Sequence, residues 1–136
     1  MRRGQSFICM LAITFLATVI LAAPAPGAKV QMRHDGPVTV YILPVRWDIM
    51  PPLLSLVERG VKEANDAQAD VLVIDMHTNG GRVDVTEDIL KALDGFNGIK
   101  VTYVNEKAIS AGALISLGTQ RIFMAPSGRI GDAAPV

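Results

Sequence analysis

Val71-Leu-Val-Ile-Asp-Met-His-Thr-Asn-Gly-Gly81 is the stretch whose reading decides the fold. Its first six residues are apolar almost throughout, as parallel strands covered on both faces usually are. The glycine pair at its end admits two readings. Asn79-Gly80 is a hairpin signal, and a type I′ turn there would return the chain as an antiparallel strand. The downstream pattern decides against the hairpin. Asp84 and Glu87 have capping-box spacing, and Val85, Ile89 and Leu93 recur on one helical face. The glycine pair is therefore a strand-to-helix loop, and strand followed by helix is the repeating unit of an α/β fold.

The alternation continues in both directions. Upstream, Val38-Thr-Val-Tyr-Ile-Leu43 lies between Pro37 and Pro44 and reads as a buried strand. Residues 45–52 read as a loop whose Pro51-Pro52 suits the entry of a helix. Leu53, Leu54, Val57, Val61 and Ala64 then recur at helical spacing opposite Glu58, Arg59, Lys62 and Glu63, up to Asn65-Asp66. Downstream, the second helix ends near Asp94-Gly95, and Ile99-Lys-Val-Thr-Tyr-Val104 is a third strand. A small-residue helix comes next over residues 111–117, stopped by Gly118. Residues 121–125 read as a fourth short strand and residues 126–131 as loop. The sequence predicts one α/β domain over residues 38–136.

Composition bounds the rest. A chain of 136 residues holds one domain with a real core, and part of its 50% hydrophobic content belongs to the N-terminus. There Met1-Arg-Arg-Gly4 precedes an uncharged apolar run over residues 7–23 and then Pro24-Ala-Pro-Gly-Ala28, with Ala23 and Ala25 in an Ala-x-Ala pattern. This is the pattern of a secretory signal peptide, or of an uncleaved signal anchor, over residues 1–26, and it implies export. Residues 27–37 read as a linker. Thirteen basic residues balance thirteen acidic ones, and without Arg2 and Arg3 the remainder is at −2. No basic patch points to nucleic acid. The one cysteine, Cys9, lies in the signal segment, so the domain has neither disulfide nor thiol chemistry. With only His34 and His77 beside it, no metal site and no cofactor are expected.

The candidate chemistry sits on the two strand-to-helix loops. Ser110 lies between the third strand and its helix, where free backbone N–H groups favour developing negative charge. Ala111 and Gly112 leave room beside it. A serine with an N–H donor next to it is the layout of an acyl-transfer nucleophile, although six residues alone fit an ordinary N-cap better. In a parallel sheet the loops at the carboxyl ends of neighbouring strands share one crevice. The Gly80-Gly81 loop could therefore aim N–H groups at the carbonyl Ser110 attacks, with the Ala111 N–H as second donor. Phosphate cradling is the weaker reading, because no P-loop lysine follows.

Three segments, taken together, resemble a known family. Val73-Ile-Asp-Met-His-Thr-Asn-Gly-Gly-Arg-Val-Asp84, Ser110-Ala-Gly-Ala113 and Met124-Ala-Pro-Ser-Gly-Arg-Ile-Gly-Asp-Ala-Ala-Pro-Val136 resemble the Clp-protease/crotonase superfamily. Within it they are most similar to the membrane-bound serine proteases of the NfeD and signal-peptide-peptidase A type. The resemblance implies a spiral of ββα units, a nucleophile at Ser110, and an oxyanion hole from Gly80 or Gly81 together with Ala111. It also implies a peptide lying extended beside Gly81-Arg82-Val83. The family's usual Asp-Thr-Pro-Gly-Gly appears here as His77-Thr-Asn-Gly-Gly81, and Asp132 stands where a small residue is commoner.

The departure is the base. Beyond Ser110 the sequence has no lysine and no histidine, only Arg121, Arg129 and Asp132, and arginine stays protonated. Relatives of this type use a Ser–Lys dyad, so the lysine is expected downstream of Val136 in a longer protein. His77 is a minor candidate base; Lys107 reads as solvated surface and Asp75 as a hydrogen-bonded structural carboxylate. The expected function is an exported, membrane-associated serine endopeptidase. It would cleave membrane-associated proteins or peptides, with stomatin-like proteins as expected partners, and form a homo-oligomer. Two rivals remain: a catalytically inactive scaffold of the same fold, and a crotonase-type acyl-CoA enzyme, which the signal segment disfavours. If the glycine loop is a rim, Gly81→Val should lower turnover while leaving stability nearly unchanged.

Overall fold

The computed structural model describes residues 36–134, so the signal segment, most of the linker and His34 lie outside the described residues. Eight elements run in order: β1 (Val40–Val45), α1 (Pro51–Asp66), β2 (Val71–Thr78), α2 (Val83–Asp94), β3 (Ile99–Ile109), α3 (Ala111–Leu117), β4 (Arg121–Met124) and β5 (Arg129–Gly131). The strands form one parallel sheet in the order β1-β2-β3-β4, with β5 added on β3. Each crossover steps one strand further in the same direction. Right-handed connections then carry α1, α2 and α3 to the same face.

That face holds the core. Leu43 and Val45 of β1, Leu72, Ile74 and Met76 of β2, and Val104 and Ala108 of β3 meet Leu53, Val57, Val61 and Ala64 of α1, Val85, Ile89 and Leu93 of α2, and Ile115 of α3. Each fully buried aliphatic side chain contributes about 1.5–3 kcal/mol. The helices follow the sequence periods because their apolar stripes at three- and four-residue spacing are what this face can cover. The opposite face is open among the described residues. Val40, Ile42, Tyr103 and Phe123 lie on it exposed, so the helices cover the parallel strands on one side rather than the two expected from β2.

β2 runs two residues past its expected end, to Thr78, β4 stops one residue short, at Met124, and four further features depart from the sequence reading for local reasons. β1 starts two residues late and runs through Pro44, which an edge strand tolerates because its outer N–H has no ladder partner. The capping box does not form. Arg82 is the N-cap of α2, and the Asp84 carboxylate turns back to the Arg82 guanidinium instead. β3 continues to Ile109, five residues beyond the expected end. Its register on β2 shifts between Met76 and His77, so Asn105 and Glu106 bulge and the ladder resumes at His77–Lys107. Residues 129–131, expected as loop, pair with Lys107, Ala108 and Ile109 as β5. β3 thus runs in two parts, the first flanked by β4 and the second by β5.

The bulge gathers polar groups. Asn105 Nδ2 donates to Asp75 Oδ1 at 3.3 Å, and Arg46 Nε donates to Asp75 Oδ2 at 2.9 Å. Asp75, 7% exposed on a strand of apolar residues, is therefore a paired structural carboxylate.

Candidate active site

β2 ends in Thr78-Asn79-Gly80-Gly81, and the β1–α1 loop determines where that end goes. Ile49 forms a one-residue parallel bridge with Gly81: its N–H donates to Gly80 O at 2.8 Å and its carbonyl accepts from Arg82 N–H at 2.9 Å. The Ile49 side chain is fully buried, so this contact is a seam of the core. Gly81 must lack a side chain here, because a Cβ would lie 2.3 Å from Ile49 O and 2.7 Å from Ile49 N. Gly80 has φ +110°, and its Cβ would lie 2.8 Å from Ser110 Cβ and 3.3 Å from Ser110 Oγ. The two loops thus come into contact at the carboxyl edge of the sheet, as the parallel topology requires.

Ser110 is held in an unusual conformation. It is the N-cap residue of α3 with φ 52° and ψ −115°, a region that glycine enters freely and other residues enter at a cost of about 1–3 kcal/mol. Its N–H donates to Gly131 O of β5 at 2.8 Å, and its carbonyl accepts from Ala113 N–H at 2.9 Å. Its hydroxyl makes no capping bond. An ordinary N-cap serine has extended dihedrals and uses its side-chain oxygen on the helix. Ser110 does neither, which leaves its Oγ available beside Gly80. α3 is only seven residues long, so local N–H groups matter here more than a macrodipole.

A cleft of about 370 Å³ opens at this point, lined by Gly81, Val83, Ser110, Ala111, Leu114, Ala133 and Ala134. Neither the Gly81 nor the Ala111 N–H donates to a protein acceptor among the described residues. The Gly80 N–H is engaged with Thr78 Oγ1 at 3.1 Å. Of the expected oxyanion donors, Gly81 and Ala111 therefore line the cleft with free N–H groups, and Gly80 supplies the close approach to Ser110. Val83 lines the cleft as well. Arg82 has its N–H on Ile49 O and its carbonyl on Thr86 N–H at 3.0 Å and Thr86 Oγ1 at 2.7 Å, so its backbone is already used within the fold. Its guanidinium pairs with Asp84, whose carboxyl is held down at about 2 by that hydrogen bond.

The candidate bases lie elsewhere. Met76 and Thr78 both approach the space over Gly112, so His77 between them faces the other side of the sheet, where Nδ1 lies 3.5 Å from Glu106 Oε1. Lys107 pairs in the ladder with His77 and Arg129, and the next residue, Ala108, is the one that faces α3. Among the described residues no cluster of three or more metal-binding side chains occurs, and no helix is long and apolar enough to cross a membrane. Sequence reasoning missed three contributors: Thr78, Ile49 and Gly131. A threonine directly before Asn-Gly-Gly is a signal for side-chain-to-backbone bonding, whereas Ile49 and Gly131 carried none.

The chain and its fold have counterparts among known proteins. Over 98 residues the chain is 39% identical to the membrane protein NfeD1b of Bacillus subtilis, an alignment covering 72% of this chain and 22% of that protein. Over 132 residues it is 27% identical to the membrane-bound protease PH1510 of Pyrococcus horikoshii, covering 95% of this chain and 27% of the relative. Among solved structures it superposes on the 1510-N membrane-bound stomatin-specific protease, a lysine-to-alanine mutant in complex with a substrate peptide. That match has TM-score 0.69 and 28% identity, and it covers 73% of this chain and 47% of the other. ClpP1 of Listeria monocytogenes, at 18% identity and TM-score 0.63, shares the fold, covering 66% of this chain and 54% of its own. The chain spans about a quarter of the curated relatives and about half of these solved chains. The NfeD1b N-terminal domain model matches residues 39–136. With a ClpP-like α/β fold and a family match over most of its length, this chain belongs to the NfeD1b N-terminal domain family.

Proposed function

We propose that this chain carries the nucleophile half of a membrane-associated serine endopeptidase. Ser110 Oγ attacks the scissile carbonyl, and the Gly81 and Ala111 N–H groups hold the oxygen as it becomes negative. Val83 and Leu114 form the apolar walls against which a peptide lies, and Arg82 shapes that rim through its bonds to Ile49 and Thr86. The observation that carries the reading is the cleft itself: a strained serine with an unused hydroxyl and two unused N–H donors on one small apolar wall.

The general base in this reading is a lysine, a residue that the described cleft lining does not contain. His77 is directed to Glu106, and no other described residue with a suitable proton acceptor lines the cleft. The relative solved with a substrate peptide carries a lysine-to-alanine change, which supports a lysine in the chemistry. We further infer export through residues 1–26, residence at the extracytoplasmic side of the membrane, a homo-oligomeric state, and membrane-associated substrates such as stomatin-like proteins. The stomatin-specific relative supports the last of these.

The test uses the full-length protein in membranes. Fluorophosphonate labelling that disappears in Ser110→Ala and in a downstream Lys→Ala variant, together with cleavage of a stomatin-like protein, is the expected result. Labelling that survives Ser110→Ala assigns the nucleophile elsewhere. No labelling of the wild type favours the scaffold reading, which the lack of a base within the described cleft suits.

A further inference from the structure

Thr78 is buried, 2% exposed, in the last position of β2, and its hydroxyl has more to do there than fill space. Oγ1 donates its one proton to Trp47 O at 2.7 Å and accepts the Gly80 N–H at 3.1 Å. Its separation of 3.5 Å from Gly80 O is too long for a further bond. The hydroxyl therefore links the β1–α1 loop to the glycine loop. Its methyl group, Cγ2, would lie 2.4 Å from a Cβ placed on Gly112 and so occupies the side-chain space of the first turn of α3. One side chain touches all three segments that meet at the cleft.

The orientation of the Gly80–Gly81 peptide is a consequence of planarity. No cis peptide occurs among the described residues, so the Gly80 carbonyl and the Gly81 N–H point in opposite directions. The carbonyl is fixed on Ile49 N–H at 2.8 Å. The Gly81 N–H must then point away from Ile49, toward the cleft it shares with Ser110. With the Gly80 N–H, part of the preceding Asn79–Gly80 peptide, fastened to Thr78 as well, the two peptide planes that flank Gly80 are held, one by Thr78 and one by Ile49.

We propose that Thr78 is the positioning residue of this site: its hydroxyl, bonded to Trp47 O and Gly80 N–H, fixes the Asn79–Gly80 peptide, the anchor from which the next peptide, held on Ile49, aims the Gly81 N–H at the substrate oxygen. The inference rests on Gly81 as oxyanion donor and Ser110 as nucleophile, and two independent readouts in the full-length protein separate the two ideas. Thr78→Val keeps the methyl and the volume and removes the hydroxyl; Thr78→Ser keeps the hydroxyl and removes the methyl. Thr78→Val is expected to lower kcat about 10- to 100-fold with KM changed less than about threefold, since a misaimed donor acts on the transition state. Thr78→Ser is expected to hold kcat within about threefold. Hydrogen exchange of the segment 78–83 is expected to quicken about tenfold in Thr78→Val and to stay near wild type in Thr78→Ser.

Thr78→Val with wild-type kcat and wild-type loop exchange overturns the assignment, as does a Thr78→Ser as impaired as Thr78→Val. If Thr78→Val does not fold, Thr78→Ser decides: kcat and exchange near wild type support the hydroxyl's role, and a tenfold loss refutes it. A wild type that neither labels nor cleaves refutes the protease reading instead, and exchange alone then decides whether Thr78 holds the loop.

Discussion

At the end of β2 the chain is fastened from both sides: Gly80 O to Ile49, Gly80 N–H to Thr78, and Arg82 N–H back to Ile49. At the end of β3 the turn rests on fewer ties. Ser110 is bonded through its N–H to β5 and otherwise held by the first turn of a seven-residue helix, with its backbone in a glycine-like region. The two loops reach the same cleft with opposite mechanics. The glycine loop is a relaxed seam that no side chain can enter, and the serine junction is a strained point that only its surroundings maintain. Rigidity suits donors that must not reorganise, and the strain at Ser110 accompanies a hydroxyl kept off its own helix.

Substitution at the serine junction should have the largest functional effect and almost none on folding. Ser110→Ala in the full-length protein is expected to lower turnover about 10⁴-fold or more, while thermal unfolding moves by less than about 2 °C. The strain is unchanged because alanine keeps the Cβ. Peptide cleavage and melting temperature measured on the same preparation check both halves. A residual rate within tenfold of wild type removes Ser110 from the chemistry.

The glycine loop should behave in the reverse way, and here the structure changes an expectation drawn from sequence. Treated as a rim, Gly81→Val costs rate and little stability. The observed Cβ position, 2.3 Å from a backbone oxygen of a fully buried residue, makes it a core substitution. Forcing Ile49 aside and straining φ 157° should cost about 3 kcal/mol or more, with turnover lost alongside the fold. A urea midpoint unchanged by Gly81→Val would show that the seam yields, and would return the loop to the status of a rim.

How much of this was legible in the chain depends on where the signals lie. The helices α1 and α2 and the strand β2 were readable because periodicity is a property of each segment alone. The contact between Gly80 and Ser110 was anticipated from parallel topology and a shared sheet edge. The role of Ile49 was not, because a bridge of one residue in a segment between two elements leaves no pattern. Neither was β5, since Arg129-Ile-Gly131 is three residues long and is a strand only because the far part of β3 offers it a partner. The capping box failed for a related reason: Asp84 has the right spacing, but Arg82 is nearer.

A finer comparison concerns the strain itself. Ser110→Gly removes the same hydroxyl as Ser110→Ala but also the Cβ that makes φ 52° costly. Ser110→Gly is therefore expected to be the more stable of the two by about 1 kcal/mol, net of glycine's added freedom in the unfolded chain. Paired denaturant curves test this. A Ser110→Gly variant less stable than Ser110→Ala would mean that the junction is not under strain, and the contrast between the two loops would fall.

The smallest effect should come from the Arg82–Asp84 pair, which lies on the solvent side of the glycine loop. Asp84 titrates at about 2 rather than its usual 3.8, chiefly because the Arg82 guanidinium bonds its ionised form. A carboxylate whose folded value is depressed adds stability that is fully present above the unfolded value and fades as pH falls through the folded one. The difference in melting temperature between wild type and Asp84→Asn should thus be constant from pH 5 upward and close between about pH 4 and pH 2. Both side chains are exposed, so the difference should be small and largely erased by high salt. Turnover near neutral pH should be the same in both, because Arg82 holds its place through its backbone bonds to Ile49 and Thr86 rather than through this ion pair. A loss of turnover in Asp84→Asn would mean that the ion pair, and not the seam, sets the position of the loop.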